Sequence, residues 1–259
     1  MIRKIHNAAS GLSAQAAKMD IISHNVANMN TIGYKKKGIS FEDLLYREMV
    51  GSSSPVAPNA YSLPQGQGVK PAAVTTHFEQ GILRETGREL DFAIEGEGMF
   101  RLRLPHGETA YTRAGAFYVD ENRHLVCSQG YRVEIEGFAQ IDSFASMDVN
   151  EQGMIAFLDE DGHAVGTAQL LLYRFLNQEG LMAIGENLWQ PSANSGALEE
   201  GAPGKEGFGK IRQRYLEEAN VNLIEEMGKL MLAQRSFQIN SRSVQTGSEM
   251  WELANNIRR

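Results

Sequence analysis

Near the start of the chain the apolar residues Ile2, Ile5, Ala9, Leu12, Ala16, Met19 and Val26 fall on alternating steps of three and four, with Ser23 the one polar member of the series. An α-helix turns once in 3.6 residues, so this spacing predicts an amphipathic helix with a narrow apolar stripe. Asn25, Asn28, Asn30, Thr31 and Gly33 follow. Their side chains compete for backbone hydrogen bonds and the glycine tolerates positive φ, which predicts the helix end between 25 and 33. At the other end of the chain Leu223, Leu230, Phe237, Val244 and Trp251 recur at strict sevens, behind Asn222 and Glu225 in the spacing of a capping box. The companion row read in this frame is Met227, Gln234, Ser241 and Ser248, which turns polar toward the C-terminus. A helix of that kind keeps surface to bury after one apolar partner is covered. Gly228 and Gly247 inside it each cost about 1 kcal/mol relative to alanine.

Between the two helices the texture changes to short apolar runs bounded by turn residues. Phe92-Ala93-Ile94, Met99 to Leu102, Ala116 to Val119 and Ile155 to Leu158 are of this kind, which predicts hairpins. Residues 51–68 are rich in glycine, serine and proline and predict an extended arm. The fold class expected is therefore α+β, a compact and mostly antiparallel β domain carried on two long terminal α-helices that pair as a coiled coil. Its expected divisions are an N-terminal assembly helix with its loop over 1–33, an arm over 34–89, the β domain over 90–190, a return linker over 191–221 and a C-terminal assembly helix over 222–259.

Composition narrows the function. With 259 residues, 42% hydrophobic and 22% charged, the chain can build an ample core. A formal charge of −7, with Lys35-Lys36-Lys37 the one basic run, provides no field for a phosphate backbone, so nucleic acid is not an expected partner. Cys127 stands alone and reads as a buried thiol, and no cysteine and histidine set suits zinc. The N-terminus lacks the apolar stretch of a secretory signal, and no run approaches the roughly 18 apolar residues of a membrane span, so neither a cleaved leader nor membrane insertion is expected. Asp159, Asp161 and Gly162 resemble the opening of a calcium loop, but Leu170 stands at the twelfth position, so a hairpin turn is expected. Gly96-Glu97-Gly98 lacks the third glycine of a dinucleotide fingerprint and also reads as a turn. The acid pairs Glu217-Glu218 and Glu225-Glu226 are explained by solvation and capping. No catalytic residue, cofactor site or metal site is expected.

Ser23-His24-Asn25-Val26-Ala27-Asn28-Met29-Asn30-Thr31-Ile32-Gly33-Tyr34-Lys35 resembles the signature of the flagellar basal-body rod and hook proteins, with the distal rod group nearest. Further ordered blocks are similar to that family: Phe41 to Tyr46, Gly66 to Val69, Leu90 to Phe100, Ala110 to Phe117, Ala183 to Trp189 and Glu218 to Met227. His24 stands where the signature more often has asparagine, and Arg132 to Val149 differs from the distal rod pattern. The resemblance implies a structural subunit of the basal-body distal rod that assembles with copies of itself, through its terminal helices, into a hollow shaft. A proximal rod or hook subunit is the nearer alternative, and a soluble enzyme with helical ends the more distant one. Implied partners are other axial proteins of the rod and hook and the flagellar type III export apparatus, which passes such chains to the basal body without cleaving a signal. The residues expected to carry self-assembly are Ile2, Ile5, Leu12, Met19, Asn25, Asn28, Asn30, Gly33, Tyr34, Leu223, Met227, Leu230, Phe237, Val244 and Trp251.

Overall fold

The computed structural model describes residues 2–44, 47–48, 64–105, 107–121, 123–137, 146–159, 161, 163–205 and 207–257. The chain divides into two units. One comprises Met1–Ala27, Lys37–Thr75 and Asn222–Arg259, the other Asn28–Lys36 and Thr76–Val221.

The first unit is built on α1 (Ile2–Ala27) and α2 (Leu223–Ile257). Asn222 caps α2, its Oδ1 accepting the amides of Ile224 at 3.0 Å and Glu225 at 3.3 Å, which satisfies donors that have no partner inside the helix. The helices lie antiparallel: Asn25 near the end of α1 bonds Glu226 in the first turn of α2, Gly11 faces Asn240, and Ile5 faces Gly247. A Cβ on Gly11 would come within 2.8 Å of Asn240 Nδ2, and one on Gly247 within 2.9 Å of Ile5 Cγ1. The backbones approach closely where these glycines sit. The second row of the α2 seam is thus Glu226, Ala233, Asn240 and Gly247, not the expected Met227, Gln234, Ser241 and Ser248. Of the observed row, Glu226, Ala233 and Gly247 are buried and Asn240 half-buried, whereas Met227, Gln234 and Ser248 are exposed. A search for apolar residues passes over this row because its members are small or polar.

The arm expected over 34–89 is partly a two-stranded ribbon, Lys37–Asp43 paired with Val69–Thr76, with a short pair Arg47–Glu48 and Pro64–Gln65. Residues 45–46 and 49–63 lie outside the described residues. Asn7 of α1 donates to the Gly66 carbonyl at 3.1 Å, and Ser10 Oγ accepts the Val69 amide at 3.3 Å, which ties the ribbon to the helix.

The second unit is antiparallel β structure. Its largest sheet has seven strands in the order Met182–Gly185, Leu188–Gln190, Thr109–Thr112, Phe100–Arg103, Arg132–Val133, Leu125–Cys127 and Phe117–Val119. A three-stranded meander, Ser146–Val149, Met154–Leu158 and Ala164–Gln169, supplies the hairpin expected near Asp159, closed by the Asp159 amide on the His163 carbonyl at 3.0 Å. Phe92, Ile94, Phe100, Leu102, Phe117, Ile155, Phe157 and Leu172 are wholly buried in one core, and the Cys127 thiol packs there too. Each such side chain contributes about 1.5–3 kcal/mol by leaving water.

Residues 191–221, expected as a linker, instead carry the strands Leu198–Gly201, Lys210–Gln213 and Tyr215–Glu217. They pair with Leu172–Phe175, Phe92–Glu95 and Leu83–Glu85 respectively. The glycines that suggested a linker are points of contact. A Cβ on Gly201 would meet Phe208 at 2.4 Å, and one on Gly209 would meet the Glu95 carbonyl at 2.6 Å.

Candidate functional site

In the helical unit, Asn25 is buried in the last turn of α1 and does not serve as a solvated terminator. Its amide imitates a strand: Nδ2 donates to the Lys37 carbonyl at 2.8 Å while Oδ1 accepts the Lys37 amide at 2.9 Å. Nδ2 also reaches Glu226 Oε2 at 3.2 Å. Glu226 is 1% exposed, and Lys229, one turn on, lies 3.0 Å from its other oxygen. The carboxylate therefore has a cation, an amide donor and the positive end of its own helix around it, which is what a buried charge requires. Asparagine is the one residue type with a donor and an acceptor at this reach; aspartate would add a second negative charge beside Glu226.

In the β unit, the loop 28–36 closes through its own turn, with the Thr31 amide on the Asn28 carbonyl at 3.0 Å and the Tyr34 amide on the Thr31 carbonyl at 3.2 Å. Gly33 has φ of +67°, donates to the Glu217 carbonyl at 2.8 Å, and leaves no room for a side chain, since a Cβ would lie 2.6 Å from the Ala114 nitrogen. Asn187 donates to the Ile32 carbonyl at 3.0 Å. Asn220 Oδ1 accepts the Lys36 amide at 2.7 Å, while its Nδ2 donates to the carbonyls of His77 and Glu79. Tyr34 is buried, Asn28 half-buried and Asn30 exposed.

Beneath the loop lies a buried charge cluster that sequence reasoning missed. Lys35 Nζ is 2.7 Å from Glu217 Oε1 and donates to the Glu79 carbonyl at 2.7 Å, while Arg113 Nε is 3.0 Å from Glu217 Oε2. The side chains of Lys35 and Glu217 are 1% and 0% exposed, so the reading of Glu217 as a solvated acid is corrected. Arg113 further donates to the carbonyls of Gly96 and Gly98, and the Gly81 amide donates to Glu217 Oε1 at 2.9 Å. The Gly96-Glu97-Gly98 turn presents carbonyls to a guanidinium and not amides to a phosphate. Burial pulls both Lys35 and Arg113 below their ordinary pKa values, and Glu217 opposes the shift in each. The available signal was that Lys35, Gly96, Gly98, Arg113, Asn187 and Asn220 all fall within the quoted family blocks.

The other expected assembly residues are on α1 and α2. Ile5, Leu12, Met19, Leu223, Leu230, Phe237 and Val244 are half-buried, while Met227 and Trp251 are exposed; the side chain of Ile2 lies outside the described residues. α2 also presents Ile224, Met231, Leu232, Ile239 and Leu253 to solvent, each at least 60% exposed. These large apolar side chains lie exposed along one helix.

Comparison with known proteins gives the same picture along the whole chain. Residues 5–35 match the family model described as flagella basal body rod protein, residues 93–157 the flagellar hook protein FlgE/F/G D1 domain, and residues 212–257 the flagellar basal body rod FlgEFG protein C-terminal region. The flagellar basal-body rod protein FlgG of Borreliella burgdorferi is 40% identical, covering 100% of both chains. FlgG of Caulobacter vibrioides is 36% identical over 99% of this chain and 100% of its own. FlgG of Bacillus subtilis is 35% identical, again over the full length of both.

Proposed function

Because the chain belongs to the FlgG family of flagellar basal-body rod proteins, and is a structural subunit of the distal rod with no enzymatic role, we propose that its helical unit is the element through which copies polymerise. In this reading α1 and α2 pair as a coiled coil, and the faces of α2 that α1 leaves open take neighbouring copies and other axial proteins of the rod and hook. The observation that carries it is the row of exposed large apolar side chains on α2, which has no use in an isolated chain. The heptad seam and the antiparallel close approach at Gly11 and Gly247 support the coiled-coil pairing. The β unit, closed around its own core, serves as the body of the subunit. Passage of the chain to the basal body through the type III apparatus, without cleavage of a signal, belongs to the same proposal and is supported by family membership.

Electron microscopy and sedimentation of the purified full-length chain at rising concentration test the reading. Rods or tubes that lengthen with concentration are expected. A chain that remains monomeric at every concentration would count against assembly through its own helices.

A further inference from the structure

With α1 against its seam, α2 has two flanks, one on either side, and a front facing away from α1. In the seven-residue frame of the seam, Leu232, Ile239 and Leu253 occupy one heptad position on one flank, while Ile224 and Met231, with Met227 beside them, lie on the other. All six side chains are at least 52% exposed. The two apolar patches differ in height: one occupies 224–231, the other 232–253. Further along the helix the first flank turns polar, with Gln234, Gln238 and Gln245.

We propose that the Leu232, Ile239 and Leu253 flank of one copy receives the Ile224, Met227 and Met231 flank of a second copy, parallel to it and displaced about 20 Å along the helix axis. The inference rests on self-assembly through the helices as proposed above, and adds which faces meet and in what register. Copies in an open polymer are related by rotation and translation about one axis, so they keep their polarity and each uses two different patches. Side by side at equal height, apolar residues of one flank would face glutamines of the other. The patch centres are about 14 residues apart, or about 21 Å at 1.5 Å per residue.

Charge selects the same register independently. The front row, spaced by sevens, is Gly228, Arg235, Arg242 and Glu249, and these three charged residues are exposed. Ion pairs of α2 among the described residues are those of Lys229 with Glu225 and Glu226, which leaves the front row uncommitted. Neighbours at equal height set Arg235 beside Arg235, and a shift of one heptad sets Arg235 beside Arg242. A shift of two heptads sets Arg235 beside Glu249 and Arg242 beside Asn256, so like charges no longer meet.

The test is charge reversal in the full-length chain. Arg235→Glu and Glu249→Arg alone each lower the polymer fraction at low salt, by roughly fivefold if one exposed ion pair per contact is lost at the upper end of its usual worth. The two together restore it. Unchanged far-UV circular dichroism of the monomers confirms that these exposed positions leave the fold intact. As a second measurement, Met231→Cys with Thr246→Cys in one chain gives a ladder of disulfide-linked multimers on oxidation; Cys127, being buried, does not contribute. A double reversal no better than the single ones, or a closed dimer as the only linked species, overturns the contact. If the parent chain itself stays monomeric, the self-assembly reading fails and this contact falls with it, whereas a polymerising parent with indifferent variants overturns the contact alone.

Discussion

The two units of this chain are held together by opposite means. The β unit closes on itself, with phenylalanines and aliphatics wholly out of water and a carboxylate, a lysine and an arginine matched in its interior. The helical unit only half-buries the large apolar row of its seam, fills the second row with glutamate, alanine, asparagine and glycine, and leaves further large apolar side chains of α2 exposed. The β unit spends its apolar surface within the monomer, while the helical unit leaves part of its own exposed. In the reading proposed above, the closed unit gives the subunit its shape and the open one its contacts.

The largest effect that would break this contrast is expected at the charge cluster. Glu217→Gln leaves Lys35 and Arg113 buried without a counter-charge and costs the β unit about 3–5 kcal/mol. The chain has two tryptophans, Trp189 buried in the β unit and Trp251 47% exposed on α2, so urea unfolding in a Trp251→Phe background reads the β unit alone. An unchanged midpoint would show that the cluster does not hold the unit together. Gly33→Ala is expected to cost about 1–3 kcal/mol by the same measurement, since its φ of +67° and its close approach to the Ala114 backbone both exclude a side chain.

On α2 the same substitution has different outcomes at two glycines. Gly228 has open space around its missing Cβ, so Gly228→Ala stabilises the helix by about 0.5–1 kcal/mol. Gly247→Ala gives no such gain, because its Cβ meets Ile5 at 2.9 Å. Thermal melts of the monomers followed by circular dichroism compare the two, and equal gains would place Gly247 outside the seam.

The smallest effect concerns pH. Burial holds folded Lys35 below the ordinary value of 10.5, so in the window between its lowered value and 10.5 the unfolded chain keeps a proton that the folded chain has lost. Stability of the β unit therefore rises with pH through that window, and Lys35→Met removes the rise. A parent and variant with parallel pH profiles would contradict it.

Periodic features were legible in the sequence: both helices, the Asn222 cap, the hairpin near Asp159 and the buried Cys127 all follow from spacing and residue type. The second row of the α2 seam was not, because Ala233 and Gly247 act through the space they leave and Glu226 through a partner in the other helix. The 191–221 segment was misread for a related reason. Glycine at 201 and 209 signals close packing as well as freedom, and only the presence of Phe208 and Glu95 nearby distinguishes the two. Lys35 gave no local sign of burial, since it sits in a run of three lysines and its partners, Glu217 and the Glu79 carbonyl, are far away in the chain.

That distance sets an order of events. Lys35 waits for Glu217, 182 residues later, and Asn25 waits for Glu226, 201 residues later. Contacts this remote in sequence form late, after loop closure over most of the chain. A chain emerging from its N-terminus can complete neither unit until Glu217 and Glu226 have appeared, and until then α1 has the ribbon over 37–76 as its partner but not α2. The hairpins of the β unit are local, so what the late partners delay is the closing of each unit: two buried side chains, Asn25 and Lys35, one at each end of the loop 25–36, meet their carboxylate partners only in the final stretch of chain.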